Sequence, residues 1–285
     1  MTVCIATLCH NGEYMVMASD FMIPSTAGLT ADNTAMKTRV IGKAWWSLFS
    51  GDDLSHVTPI LDRVYDALGN PDGHDLSEVV DAFVKAFKDE TRAICEREVL
   101  NNWGITLDRF VNEGAKLFAT DFAVINARIA EVRINCTFLV CGFNRTTSRA
   151  GRNPGHIFTI SGEYYGRSAG GAFLQYCENP AFAAIGTGSL NALSMLFFFE
   201  QSFVTPLPKT VYVVAAAKFM AESAGGVGQQ TKLHVFSKDG FVFELSKMDK
   251  ELRGFWQQGR PRVVDGSIAR IKTGVRRFGP PQKVR

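Results

Sequence analysis

Two apolar runs at residues 3–9 and 13–20, joined by His10-Asn11-Gly12, constrain this chain more than any other feature. Asn and Gly accept the left-handed backbone of a tight turn, so the two runs fold back on each other as a β-hairpin. A hairpin that opens at the second residue starts an antiparallel sheet at once and leaves no room for a leader sequence ahead of it. With the initiator methionine removed, the amine and hydroxyl of Thr2 stand together at one end of the first strand. Two further strands, 38–41 and 44–50, follow across a Gly42-Lys43 turn, after a loop of polar and small residues over 24–33.

A threonine hydroxyl is a weak nucleophile that needs a base, and a threonine at a chain start carries one in its own α-amine. That amine titrates at about 7.7–8.0, where it accepts a proton that a lysine would not. A buried lysine beside it weakens the amine's hold on a proton and stabilises the hydroxyl as it ionises. A carboxylate keeps such a lysine charged and oriented. Asp20 and Lys37 supply these two residue types, and Gly51 offers an unobstructed backbone N–H to a developing oxyanion. Each residue also has a plainer use: Thr2 as a strand start, Asp20 as a loop cap, Lys37 as a solvated edge lysine, Gly51 as a turn.

Taken in order, Thr2, Ala18-Ser19-Asp20, Lys37 and Phe49-Ser50-Gly51 resemble the N-terminal motif of proteasome β-subunits and their bacterial single-type homologues, which are N-terminal-nucleophile hydrolases. The interval from Lys37 to Gly51 matches that family without a gap, while the interval from Thr2 to Lys37 is longer by a few residues, which the hairpin turn and the 24–33 loop absorb. The resemblance resumes at Ala184-Ile185-Gly186-Thr187-Gly188-Ser189 and at Ser223-Ala224-Gly225-Gly226, then Lys238-Asp239-Gly240, and skips the middle of the chain. It implies an α+β fold built as a four-layer αββα sandwich. It also implies a threonine-type peptidase or amidohydrolase with Thr2, Asp20, Lys37 and Gly51 at its centre and Thr187, Ser189 and Glu222 near the amine. Ile23, Ala35 and Phe49 would flank a peptide or protein substrate, and copies of the chain would assemble into a ring or spiral. The chemistry requires no cofactor.

The chain departs from the family pattern at several positions. Thr187 stands where the family has a serine in its Gly-Ser-Gly-Ser turn. Anchored on Gly225-Gly226, the positions of an aspartate and a serine near the amine hold Ala221 and Ala224, and a one-residue slip brings in Glu222 and Gly225 instead. The serine is missing either way, which leaves open a subunit that keeps the fold for assembly alone. The Gly186–Ser189 turn also resembles a phosphate cradle, but it lacks the third glycine of a dinucleotide site and any lysine.

The 285 residues suffice for one well-cored domain or two small ones. With 46% hydrophobic and 21% charged residues the chain reads as an ordinary soluble protein, with no apolar run long enough to cross a bilayer. Cys4, Cys9, Cys95, Cys136, Cys141 and Cys177 include no Cys-x-x-Cys pair and lie mostly in apolar runs, so buried thiols in a reducing cytoplasm are expected rather than disulfides. The five histidines are dispersed, and no metal is expected. The net charge of +3 is uneven: nine Lys/Arg against Asp265 from Arg253 onward leave 22 basic and 27 acidic residues in the rest. This basic tail reads as an extended arm, either solvated or in contact with an acidic partner, a sister subunit or nucleic acid.

Helices are expected over 56–68, ending at Gly69, and from Asp75 or Ser77 onward, where Val79, Val80, Phe83, Val84 and Phe87 recur at helical spacing. A charged, mostly helical stretch over 95–133 reads as an insertion. A buried strand over 135–143 precedes a hairpin of 156–160 and 163–165 around Ser161-Gly162. A strand at 182–185, a helix from 190, a break at Pro206-Leu207-Pro208, an apolar helix over 211–223 and a hairpin of 232–236 and 241–245 complete the order. The expected organisation is one domain over 1–250 carrying the insertion, and a basic extension over 251–285. Segregated runs of strands and helices argue for α+β.

Overall fold

The computed structural model describes residues 2–24, 30–32, 37–42, 44–69, 73–145, 155–164 and 167–259. The strands are β1 (Cys4–Cys9), β2 (Tyr14–Ser19), β3 (Met22–Pro24), β4 (Thr30–Asp32), β5 (Thr38–Gly42) and β6 (Trp45–Gly51), then β7 (Cys136–Phe143), β8 (Gly155–Tyr164), β9 (Arg167–Tyr176), β10 (Phe182–Ile185), β11 (Lys232–Ser237) and β12 (Val242–Glu244). The helices are α1 (Val57–Leu68), α2 (Leu76–Ile94), α3 (Leu107–Leu117), α4 (Phe122–Glu131), α5 (Ser189–Phe198), α6 (Leu207–Ala221) and α7 (Asp249–Gly259). One antiparallel sheet runs β10-β1-β2-β11-β12, a second runs β5-β6-β7-β8-β9, and among the described residues β3 and β4 form a two-stranded sheet.

The N-terminal hairpin forms in the register Cys4↔Ser19 to Cys9↔Tyr14. Residues 10–13 connect the last pair, two more than the tightest turn needs, and His10, Asn11 and Gly12 all take positive φ, at 52°, 57° and 81°. The two runs are continuously apolar because both of their faces are covered. Cys4, Ala6, Leu8, Met15 and Met17 pack against Leu48, Leu139, Cys141 and Phe143 of the second sheet. Val3, Ile5, Val16 and Ala18 face α5 and α6 through residues such as Leu196, Val213 and Ala217. The other face of the second sheet is covered by α1 and α2, where Phe138 meets Phe83 and Phe87 at ring separations of 5.5 and 5.8 Å. Each such ring, fully buried, contributes about 1.5–3 kcal/mol. Helix α2 starts at a capping box of Asp75 and Glu78, and half-exposed Arg63 of α1 is tied to its buried Glu90 by an ion pair at 2.7 Å.

The expected four-layer αββα sandwich is corrected to an α+β arrangement with further parts. Beside the two antiparallel sheets stands the separate β3–β4 pair. Helices α3 and α4 gather around a small core of their own, Leu100, Ile105, Phe110 and Ile125, instead of joining a covering layer. They bury only a narrow stripe: Phe110 and Gly114 of α3 and Ile125 of α4 are the buried positions, while Val111, Leu117 and Val124 stay exposed among charged and small residues.

Four local expectations change as well. Part of the 24–33 loop pairs, Met22 with Asp32 and Pro24 with Thr30. The hairpin expected at Ser161-Gly162 is one continuous strand, β8, with a register shift between Ser161 and Glu163, and its partner is β9. Pro206 and Pro208 begin α6 rather than only breaking the chain, since proline is tolerated in the first turn, where an amide has no helical partner. The arm expected from Arg253 begins as helix: Leu252 and Trp256 of α7 are buried in the core beside α6. Residues 260–285 lie outside the described residues. Among the described residues, no helix is long and apolar enough to cross a membrane.

Candidate active site

The hairpin brings Thr2 and Asp20 together because they flank its open end, just outside the paired strands. The Asp20 amide donates to Val3 O at 3.3 Å, and the Val3 amide donates to Asp20 Oδ1 at 3.2 Å. Lys37 reaches the same point from the second sheet. It lies immediately before β5, where its carbonyl accepts from Phe49 N of β6 at 3.2 Å. Its ammonium Nζ donates to Asp20 Oδ1 at 2.7 Å and to Thr2 Oγ1, whose hydroxyl donates in turn to Asp20 Oδ1. Thr2 and Lys37 are each 2% exposed and Asp20 is 0% exposed. An ion pair so buried is held only when its remaining hydrogen-bonding capacity is filled. The second carboxylate oxygen, Oδ2, accepts from the Gly228 amide at 2.9 Å.

Gly51 ends β6 opposite Cys136 of β7. A Cβ there would lie 2.3 Å from Asn135 O, so packing alone requires glycine at this position. Gly186 and Gly188 carry the chain around Thr2. The Gly188 amide donates to Thr2 O at 3.1 Å, and a Cβ on Gly186 would lie 2.4 Å from that same oxygen. With φ at +92°, Gly186 also holds a conformation that other residues resist. The backbone of this turn thus fixes Thr2, while the Thr187 side chain is exposed and Ser189 is half-buried at the start of α5.

Other expected residues lie elsewhere or differ in setting. The Glu222 carboxylate is taken up by Lys218 at 2.6 Å and by Arg253 at 2.8 and 2.9 Å, not by Thr2. Phe49 is 5% exposed, its ring 6.3 Å from that of Phe138 with Arg39 at 5.7 Å over it, so it is a core residue more than an open pocket wall. Ile23 belongs to β3, and Ala35 lies outside the described residues.

Two neighbours carried no sequence signal for this role. Cys4 follows Thr2 by two residues and so shares its strand face. Its thiol donates to Phe49 O at 3.4 Å. Burial pushes that thiol up to about 12, only partly offset by Lys37, so it stays protonated. Gly228 contributes only a backbone amide, which any residue but proline could supply. All six cysteines are free and buried, and among the described residues no His/Cys/Asp/Glu group has the arrangement of a metal site.

Two antiparallel sheets, with Thr2 laid beside a buried lysine and aspartate where they meet, define a proteasome-like α+β fold. No family model and no curated protein matches the chain. Among solved structures it is similar to an Anbu (Gly-1) mutant from Hyphomicrobium sp. strain MC1, at 12% identity and a TM-score of 0.58, over 100% of both chains. At that identity the likeness bears on the fold.

Proposed function

We propose that this chain, once Met1 is removed, is a threonine-type hydrolase of peptide or other amide bonds. The observation that carries this reading is the buried Lys37 ammonium shared between Thr2 Oγ1 and Asp20 Oδ1. The freed α-amine takes the Thr2 hydroxyl proton as Oγ1 attacks the carbonyl carbon. The resulting oxyanion is met by a backbone N–H, a role we assign to Gly51. Collapse of the tetrahedral intermediate breaks the C–N bond, and the leaving amine takes the proton from the α-amine. Water then hydrolyses the ester on Thr2 and restores the hydroxyl. The Lys37 ammonium, held by Asp20, favours the ionising oxygen over the neutral hydroxyl.

Self-assembly is part of the same reading. Helix α5 exposes Leu190, Phe197 and Phe198, the last at 75% of its surface, and Phe203 and Val204 follow it. Clustered exposed rings of this kind mark a surface that a partner covers. Sedimentation of the wild type and of Phe198→Glu tests it: the variant is expected to sediment as a smaller species, and equal sedimentation argues against an α5 interface.

For the chemistry the decisive experiment is intact mass after treatment with an electrophilic peptide, with N-terminal sequencing of the same sample. A chain starting at Thr2 that gains one adduct, absent from Thr2→Ala, supports the hydrolase. A correctly processed chain that stays unmodified favours the non-catalytic subunit, a reading to which Ala221 and Ala224 already give weight.

A further inference from the structure

Helix α6 is buried nearly all round, with Val213, Val214, Ala215, Ala216 and Ala217 in the core, yet it carries a lysine there. Lys218 is 0% exposed. Its ammonium has three protons and three acceptors: Glu222 Oε1 at 2.6 Å, Gly228 O at 2.8 Å and Gln229 O at 2.8 Å. Burial lowers its affinity for a proton, which the Glu222 carboxylate opposes. A helix needing only packing here would hold a leucine or methionine, because a buried ion pair is seldom the more stable choice.

The two carbonyls that Lys218 grips belong to the segment whose Gly228 amide donates to Asp20 Oδ2. One face of that peptide segment is held by the lysine, the other by the aspartate that pairs with Lys37. Arg253 of α7 closes the clamp from outside. It binds both Glu222 oxygens, donates to Gln229 O at 2.7 Å, and lies 4.2 Å over the Phe219 ring, with Asp249 at 3.6 Å from its Nε. The charged groups facing Lys218 are therefore Glu222, Arg253 and Asp249.

We propose that Lys218 is a positioning residue for the Thr2 centre, fixing the Gly228 amide on Asp20, with Arg253 and Glu222 locking it in place. The proposal rests on the reading of Thr2 as nucleophile and adds the element that orients its aspartate. Without the clamp the carboxylate loses the donor on Oδ2 and can turn away from Lys37. Misplacement of a supporting group by about an ångström costs on the order of 100-fold in rate.

The test uses the full-length, processed chain and three variants. Lys218→Met keeps the volume and removes the clamp, Arg253→Gln loosens it from outside, and Val214→Ala disturbs the same helix without touching it. Two readouts are taken: amide exchange at Gly228, and the rate of electrophile addition to Thr2 across pH. Lys218→Met is expected to speed Gly228 exchange beyond the change in Val214→Ala. It is also expected to slow addition about 10–100-fold and move its midpoint to lower pH, because a displaced carboxylate leaves the Lys37 charge unbalanced and the amine then holds its proton less tightly. Arg253→Gln is expected to show the same pattern more weakly, and it decides the matter if Lys218→Met does not fold. Wild-type exchange, rate and midpoint in a folded Lys218→Met would overturn the proposal, as would equal effects in Val214→Ala. If the wild type itself forms no adduct, the nucleophile reading fails, and Gly228 exchange alone judges the clamp.

Discussion

Asp20→Asn removes one negative charge from a site closed to water, and its cost follows from what is left behind. The carboxylate accepts from Lys37 Nζ at 2.7 Å, Gly228 N at 2.9 Å and Val3 N at 3.2 Å, as well as from the Thr2 hydroxyl. Asparagine keeps the shape but answers the ammonium with a neutral oxygen, and its NH2 must face a backbone N–H. Leaving a buried charge without its partner costs about 3–5 kcal/mol, against a total stability of about 5–15 kcal/mol. Lys37→Met leaves a carboxylate that keeps three donors, so it costs less, about 1–3 kcal/mol. The double variant Asp20→Asn/Lys37→Met removes the stranded ammonium and is expected to be more stable than Asp20→Asn alone, giving a coupling of roughly 2–3 kcal/mol. Urea unfolding followed by tryptophan fluorescence measures all four proteins, with Met1 retained to keep processing out of the comparison. Buried Trp45 and Trp46 report on the core. Midpoints should move at constant slope. Additive single changes, or an Asp20→Asn cost below about 1 kcal/mol, would mean that Lys37 and Asp20 are not paired in solution, and the proposed chemistry would go with them.

Other consequences can be checked separately. His234 is held below its ordinary 6.5, chiefly by burial and then by Lys232, so the unfolded chain binds its proton first and this contribution to stability is lost as pH falls below 6.5. His234→Phe should therefore lose less melting temperature between pH 7.5 and 5 than the wild type, and equal losses would contradict the linkage. Trp256→Ala empties part of the core beside α6 and should cost about 3–5 kcal/mol in urea unfolding, whereas a solvated tail would cost nothing measurable. Gly186→Ala forces a methyl towards Thr2 O at positive φ and should destabilise by at least about 1–3 kcal/mol in a thermal melt, an unchanged melt refuting the close approach.

Residue order alone dictates the parts whose cause is local. The Asn-Gly turn and flanking apolar runs dictate the N-terminal hairpin, Asp75 with Glu78 starts α2, and Gly69 ends α1. Thr2, Asp20 and Lys37 stand out as residue types at telling places, because the hairpin alone makes Thr2 and Asp20 neighbours. Contacts made through backbone atoms leave no such trace. Gly228 lies 208 residues from Asp20 and offers it only an N–H. Glu222 looks like a spare carboxylate near a family motif; its spacing of four residues gives it to Lys218, but only the packing of α6 against α7 adds Arg253. The same packing turns the start of a basic tail into a helix, because Leu252 and Trp256 gain a buried surface that local composition does not reveal. Side-chain spacing records what neighbours along the chain require, whereas long-range closure depends on which surfaces meet, and that was decided only by the tertiary structure.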